Sequence, residues 1–187
     1  MKITTILGSP RRHGNTATVL AWFEARVGPE HTVRHIDLND YPVGGCTGCD
    51  NCQGVYGQCG CSQTDDGEEV LGEILAADVI VYASPVYCWG FTAQMKALID
   101  RHFCITKWRD DEVVESLAEG KRAMLLLTCG GSAEENADLI IPAFRREMTC
   151  MRATILGEFV VPHCSTPDRL GADARAVADA MARAVAA

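Results

Sequence analysis

Short aliphatic runs alternate with helical stripes along most of the chain, and few architectures accept that pattern. The runs cover residues 2–7, 31–38, 78–83, 122–128 and 153–161. Between and after them, apolar side chains recur at helical spacing: Leu20, Phe23 and Val27; Val70, Leu71, Ile74 and Leu75; Met95, Leu98, Ile99 and Phe103; Ile140, Phe144 and Met148; Val177, Met181 and Val185. Five strands alternating with five helices predict parallel strands joined by helical crossovers. Val79-Ile80-Val81-Tyr82-Ala83 and Met124-Leu125-Leu126-Leu127 are apolar on both faces, as central strands covered by helices must be. The run at 31–38 reads as half-buried. The stripes are core and carry no chemistry.

With 187 residues the chain is expected to form one domain, 1–187, interrupted by one long irregular stretch at about 39–64. A formal net charge of -8 offers no field attractive to nucleic acid or an anionic membrane, so any anion must be captured by local groups. Residues 1–7 are too short an apolar stretch for a signal peptide, and no run approaches the ~20 residues of a membrane span. A cytoplasmic protein is expected. In that compartment ten cysteines read as metal ligands, redox groups or small buried side chains rather than a disulfide framework.

In a doubly wound sheet the ligand lies beyond the carboxyl ends of the strands, so the loops that follow them are the place to look. After the first run come Gly8-Ser9-Pro10-Arg11-Arg12-His13-Gly14-Asn15-Thr16, closing on a helix start. Hydroxyls of Ser9 and Thr16, the Asn15 amide, a guanidinium from Arg11 or Arg12 and free helix N–H groups can cradle one phosphate. The lysine of a nucleotide-triphosphate loop is missing, and so is Gly-x-Gly-x-x-Gly. An ordinary turn capped by Ser9 or Asn15 would also use these residues. After the third run, Ser84-Pro85-Val86-Tyr87-Cys88-Trp89-Gly90-Phe91-Thr92 puts aromatics where a loop should be polar, which suits a flat apolar ligand or a loop tucked under the core. After the fourth, Thr128-Cys129-Gly130-Gly131-Ser132 adds glycines and exposed N–H groups.

In order and spacing these loops resemble the flavodoxin-like NAD(P)H-dependent FMN reductases. Gly8-Ser9-Pro10-Arg11 with Gly14-Asn15-Thr16 is similar to that family's phosphate loop, and Ser84-Pro85-Val86-Tyr87 followed by Gln94, Lys96, Ile99, Asp100 and Arg101 to its flavin loop and helix. The resemblance implies a five-stranded sheet in the order 2-1-3-4-5 with helices on both faces. It places the FMN phosphate against Ser9, Arg11, Gly14, Asn15 and Thr16. The isoalloxazine would lie against Pro85, Val86, Tyr87, Cys88, Trp89 and Gly90, and against Cys129, Gly130 and Gly131. Cys88 departs from the pattern, since relatives often carry an aromatic there.

The stretch 39–64 holds Cys46-x2-Cys49-x2-Cys52-x6-Cys59, with Cys61 beyond it. Thiolates this close repel one another unless a metal neutralises them, and the compact run is nearer to iron-sulfur ligation than to paired zinc knuckles. It resembles the iron-sulfur flavoprotein subfamily, which implies a [4Fe-4S] cluster on Cys46, Cys49, Cys52 and Cys59 exchanging electrons with FMN. Zinc, a redox dithiol or no metal remain alternatives. The expected activity is electron transfer from NAD(P)H or a ferredoxin-like donor through FMN, and through the cluster, to an acceptor. The other readings are a cluster-free reductase of quinones, flavins or nitro compounds, and an FMN-binding sensor switched by zinc or thiols. No catalytic side chain is required, because flavin carries the redox chemistry. Asp65, Asp66, Glu68 and Glu69 read as a solvated helix start, and by resemblance the chain is at least a homodimer, or a homotetramer.

Overall fold

The computed structural model describes residues 1–186. Five strands, β1 (Lys2–Leu7), β2 (Thr32–Asp37), β3 (Val79–Pro85), β6 (Arg122–Thr128) and β7 (Thr154–Val161), form one parallel sheet in the order β2-β1-β3-β6-β7. Once the two intervening hairpin strands are set aside, that order is the expected 2-1-3-4-5. The central strands β3 and β6 are buried almost end to end, while β2 and β7 at the edges are half-buried.

Alternate side chains divide the core between the two faces, as a strand's two-residue period dictates. Ile3, Leu7, Val79, Val81, Met124 and Leu126 pack against α1 (Asn15–Val27) and α6 (Ala172–Ala186). Ile6, Ile80, Tyr82, Leu125 and Leu127 pack against α2 (Gly67–Leu75), α3 (Ala93–Arg101) and α5 (Ile140–Cys150). A short α4 (Ala133–Asn136) precedes α5. No helix among the described residues is long and apolar enough to cross a membrane.

The sequence pattern does not mark the antiparallel hairpin of β4 (Thr106–Arg109) and β5 (Glu112–Ser116) that follows α3. Its turn residues Asp110 and Asp111 both have positive φ, 50° and 64°, the left-handed pair that a tight hairpin turn requires. The alternation is inverted from what a core strand would show: Lys107 is fully buried and Trp108 is exposed. This hairpin is the platform for the cysteine stretch, which runs between β2 and α2 with one 3-10 turn at Asn51–Gly54.

Candidate functional site

Residues 8–14 leave β1 and turn into α1, whose N-cap Gly14 offers no side-chain cap. Gly14 N–H donates to the Arg11 carbonyl (3.0 Å), and Thr18 N–H to that of Gly14. The N–H groups of the first helical turn therefore point out of the helix with no intrahelical acceptor, the usual geometry for holding an anion. Ser9 Oγ accepts from Arg11 N–H (3.1 Å), which shapes the loop. Arg12 turns away and is held by Asp37 and Asp40 at 3.1 and 2.5 Å, whereas Arg11 is exposed and enters no ion pair among the described residues. The guanidinium free to meet a phosphate is therefore Arg11. Asn15 donates to the Ser165 carbonyl (3.3 Å), while its Oδ1 is buried without a partner, an acceptor suited to a ligand hydroxyl.

The loop after β3 is tied to both neighbours. Val86 N–H donates to the Thr128 carbonyl (2.9 Å), and Thr92 Oγ donates to the Gly8 carbonyl while accepting from Met95 N–H to cap α3. Tyr87 and Gly90 exchange backbone hydrogen bonds of 3.0 and 2.9 Å, closing a two-residue turn on Cys88 (φ 48°) and Trp89 (φ 58°). Two consecutive non-glycine residues in the left-handed region are strained, and such strain collects where a ligand is handled.

The three loops meet in one cavity of about 150 Å³. It brings together Ser9, Arg11, Gly14, Asn15 and Thr16, then Pro85, Val86 and Tyr87, and finally Cys129 and Gly130. Cys88, Trp89, Gly90 and Gly131 stay outside its lining, although the resemblance had placed them with the others. The reason for Trp89 is specific: its indole N–H donates to the Glu135 carbonyl (3.0 Å), which turns the ring towards α4. Thr128, Cys164 and Ser165 join the lining. Thr128 could have been found as the last residue of a run. Cys164 and Ser165, beyond the fifth run, carried no distinguishing pattern. The cavity is smaller than the ~300 Å³ at which ligand pockets usually begin, so it has room for one end of a larger ligand, and the exposed Tyr87–Cys88–Trp89 stretch lies beside it. A larger cavity of about 350 Å³ lies between α3 and α5, its aromatic wall including Tyr82, Phe103, Trp108 and Phe144.

The cysteine stretch is docked on the hairpin by side chains that sequence reasoning did not single out. Gln53 Nε2 donates to the Phe103 and Thr106 carbonyls (2.8 and 3.1 Å), and its Oε1 accepts from Trp108 N–H (2.9 Å). Lys107 Nζ donates to the carbonyls of Cys52, Cys59 and Cys104 (3.0, 3.1 and 2.8 Å). Asp65 is no solvated helix start. It receives Arg101, Gly44 N–H and Gly67 N–H, and at Gly67 a Cβ would meet Arg101 Nη2 at 2.8 Å, so glycine there permits the approach. Burial alone would push the Asp65 carboxyl up; the hydrogen bonds from Arg101, Gly44 and Gly67 outweigh it and hold the group below the usual carboxylate range.

Of the expected ligands, Cys46 and Cys49 are exposed, Cys52 is buried and Cys59 is half-buried. Cys46, Cys49 and Cys52 border a narrow cleft with Cys61 and Cys104, whereas Cys59 lies outside that lining and faces Cys104. The Cys104 contact and nearby Lys107 push the Cys59 thiol down against its burial; the same contact, with burial, pushes Cys104 up. Among the described residues no three His, Cys, Asp or Glu side chains converge closely enough to hold a metal ion. Cys46 and Cys49 sit on the outer arm of the stretch, while the 3-10 turn carries Cys52 into the core.

A parallel sheet in this order, with an anion cradle at the first strand-to-helix turn and an aromatic turn beside it, defines a doubly wound nucleotide-cofactor fold. The chain belongs to the NADPH-dependent FMN reductase family, whose profile matches residues 1–165. It is 37% identical over 102 residues to an iron-sulfur flavoprotein of Archaeoglobus fulgidus, covering 54% of this chain and 45% of that protein. It is 28% identical over 159 residues to an iron-sulfur flavoprotein of Methanosarcina thermophila, covering 84% of this chain and 78% of that one. The chain thus spans about half the length of the first of these relatives. Among solved structures, an FMN-dependent NADH-azoreductase of Bacillus anthracis in complex with FMN superposes with a TM-score of 0.72 at 14% identity, covering 99% of this chain and 98% of that one. That likeness establishes the fold.

Proposed function

We propose that the protein is an FMN-dependent oxidoreductase that passes electrons from NAD(P)H or a ferredoxin-like donor to an acceptor, with an iron-sulfur centre in residues 46–61. The observation that carries the flavin half is the shared cavity, where Arg11, the uncapped start of α1 and the unpartnered Asn15 Oδ1 meet. These residues fit the phosphate and a polyol hydroxyl of FMN: the guanidinium and helix N–H groups offset the phosphate charge, and Asn15 accepts from a hydroxyl. FMN supplies hydride acceptance and one- or two-electron transfer. The chain orients it, with Thr92 holding the loop of residues 85–91 against Gly8.

The cysteine half is supported by donor chemistry and by the names of the relatives. Five sulfurs border the cleft of Cys46, Cys49, Cys52, Cys61 and Cys104, and Arg101 reaches it with Nε and Nη2 buried and unpartnered. Orphaned guanidinium donors facing thiols suit an anionic thiolate centre. Binding such a centre on Cys46, Cys49, Cys52 and Cys59 requires the outer arm to close inward. The exposure of Cys46 and Cys49 favours, as a second reading, a reductase that works with FMN alone.

Flavin, iron and acid-labile sulfide measured on one anaerobic preparation, with NADH and NADPH oxidation by quinone and flavin acceptors, test both halves. Stoichiometric FMN with iron and sulfide is the expected result. A yellow, iron-free protein that turns over NAD(P)H would leave the second reading; a protein that binds no FMN would end both.

A further inference from the structure

Lys107 is fully buried, and all three of its ammonium protons are used on backbone carbonyls, those of Cys52, Cys59 and Cys104. No carboxylate lies within ion-pair distance of it among the described residues. Six residues earlier Arg101, 1% exposed, pairs through Nη1 with Asp65 at 2.7 Å and leaves Nε and Nη2 without a partner. Around the cysteine cleft there are therefore two buried cations against one half-buried carboxylate, Asp65, and one solvent-exposed carboxylate, Asp50. A buried positive charge without a counterion is expensive, and a fold retains one where something negative is to be held.

We propose that Lys107 and Arg101 are positioning residues for an anionic, thiolate-rich centre in the cysteine stretch. Lys107 ties the backbone at Cys52, Cys59 and Cys104 into one frame, and the two cations together balance the charge of the sulfurs. This rests on the reading of residues 46–61 as a metal–thiolate site, and it deepens that reading by naming groups outside the cysteine motif. Lys107 works from a hairpin that follows the motif by some fifty residues, so the site is assembled from two distant segments. Because both cations are buried while Asp50 faces solvent, they favour the more negative, reduced state of any centre bound there.

The test uses the anaerobically reconstituted full chain as wild type, Lys107→Met and Lys107→Arg. Lys107→Met is expected to keep its FMN, since Lys107 does not line the flavin cavity. It should retain iron about tenfold less tightly or worse, the scale on which outer partners of metal ligands act. Whatever centre it forms should show a lower midpoint potential in an EPR-monitored titration, and Lys107→Arg should move the potential back towards wild type. A purely structural lysine would lower occupancy without moving the potential. Wild-type iron retention and an unchanged potential in Lys107→Met overturn the inference, as does a lower occupancy at an unchanged potential. Should the wild type itself take up neither iron nor sulfide, the parent reading fails. Hydrogen exchange on the metal-free protein tests the backbone tie separately: faster exchange confined to residues 46–61 is expected in Lys107→Met, and equal exchange overturns that tie. If Lys107→Met does not fold, Lys107→Gln carries the same measurements.

Discussion

Thr16 and Thr128 are 1% and 3% exposed, and their hydroxyl oxygens lie 2.7 Å apart in the lining of the cavity that the three loops share. The bond links the first turn of α1 to the last residue of β6, so it fixes the distance between two of the three loops. Thr16→Val preserves the shape and leaves the Thr128 hydroxyl against a methyl group. Losing the bond alone costs ~0.5–1.5 kcal/mol, and the orphaned buried hydroxyl raises the total to ~1–3 kcal/mol. For a domain of this size each kcal/mol moves Tm by roughly 2–4 °C, so the expected drop is roughly 2–12 °C. Adding Thr128→Val removes the orphan, and the double variant should recover much of the loss and lie closer to wild type than the sum of the singles. Calorimetry of the flavin-free protein reads the cycle directly. Saturating FMN should then raise the Tm of wild type more than that of Thr16→Val, because Thr16 also faces the cradle. Strictly additive single-variant losses would refute the pairing, and an unchanged Tm in both singles would show that the two hydroxyls are not coupled in solution.

Arg11→Ala removes a charge-assisted contact worth ~1.5–3 kcal/mol, so FMN affinity measured by flavin fluorescence should fall roughly 10- to 150-fold; an unchanged Kd would place the phosphate elsewhere. Tyr82 is fully buried with a hydroxyl that finds no partner, and burial pushes its phenol well above the usual range. Tyr82→Phe should therefore stabilise the flavin-free protein by about 1 kcal/mol or more, and a lowered Tm would mean that the hydroxyl is engaged. The hydrogen bond to Glu24 raises the His35 pKa against partial burial. A raised folded value contributes stability that is full below the unfolded value of about 6.5 and fades as pH climbs through the folded one. The Tm gap between wild type and His35→Gln should accordingly be widest near about pH 5.5 and shrink towards about pH 9. A gap that is constant across that window would contradict the coupling.

The parallel sheet was legible because β3 and β6 are covered on both faces and read as unbroken apolar runs. That Ser9, Arg11, Gly14, Asn15 and Thr16 would line one cavity was legible because helix N–H groups, hydroxyls and a guanidinium lie close together in the sequence there. Choosing Arg11 over Arg12 was a different matter, since it depends on Asp37 and Asp40 at the end of β2. The hairpin escaped because its inward residue is a lysine and its outward one a tryptophan, the reverse of a core strand. Asp110-Asp111 between two β-prone stretches was the available turn signal. Asp65 was misread for a related reason, because its partner Arg101 is 36 positions away.

These cases bear on how an acidic chain would hold the anions proposed for it. At a net charge of -8 the protein cannot rely on a broad positive field, so attraction has to come from donors held at short range. In the loop after β1, Arg12 pairs with Asp37 and Asp40, which anchors the segment, and the adjacent Arg11 has no ion pair among the described residues. In the cysteine stretch Asp65 anchors one edge of Arg101 and leaves Nε and Nη2 open, while Lys107 anchors the backbone itself. Each time a carboxylate or carbonyl fixes the position of a cation and a neighbouring donor stays available. A fixed donor pays little reorganisation when the anion arrives, which is how local groups can outcompete the repulsion of the surrounding acidic surface.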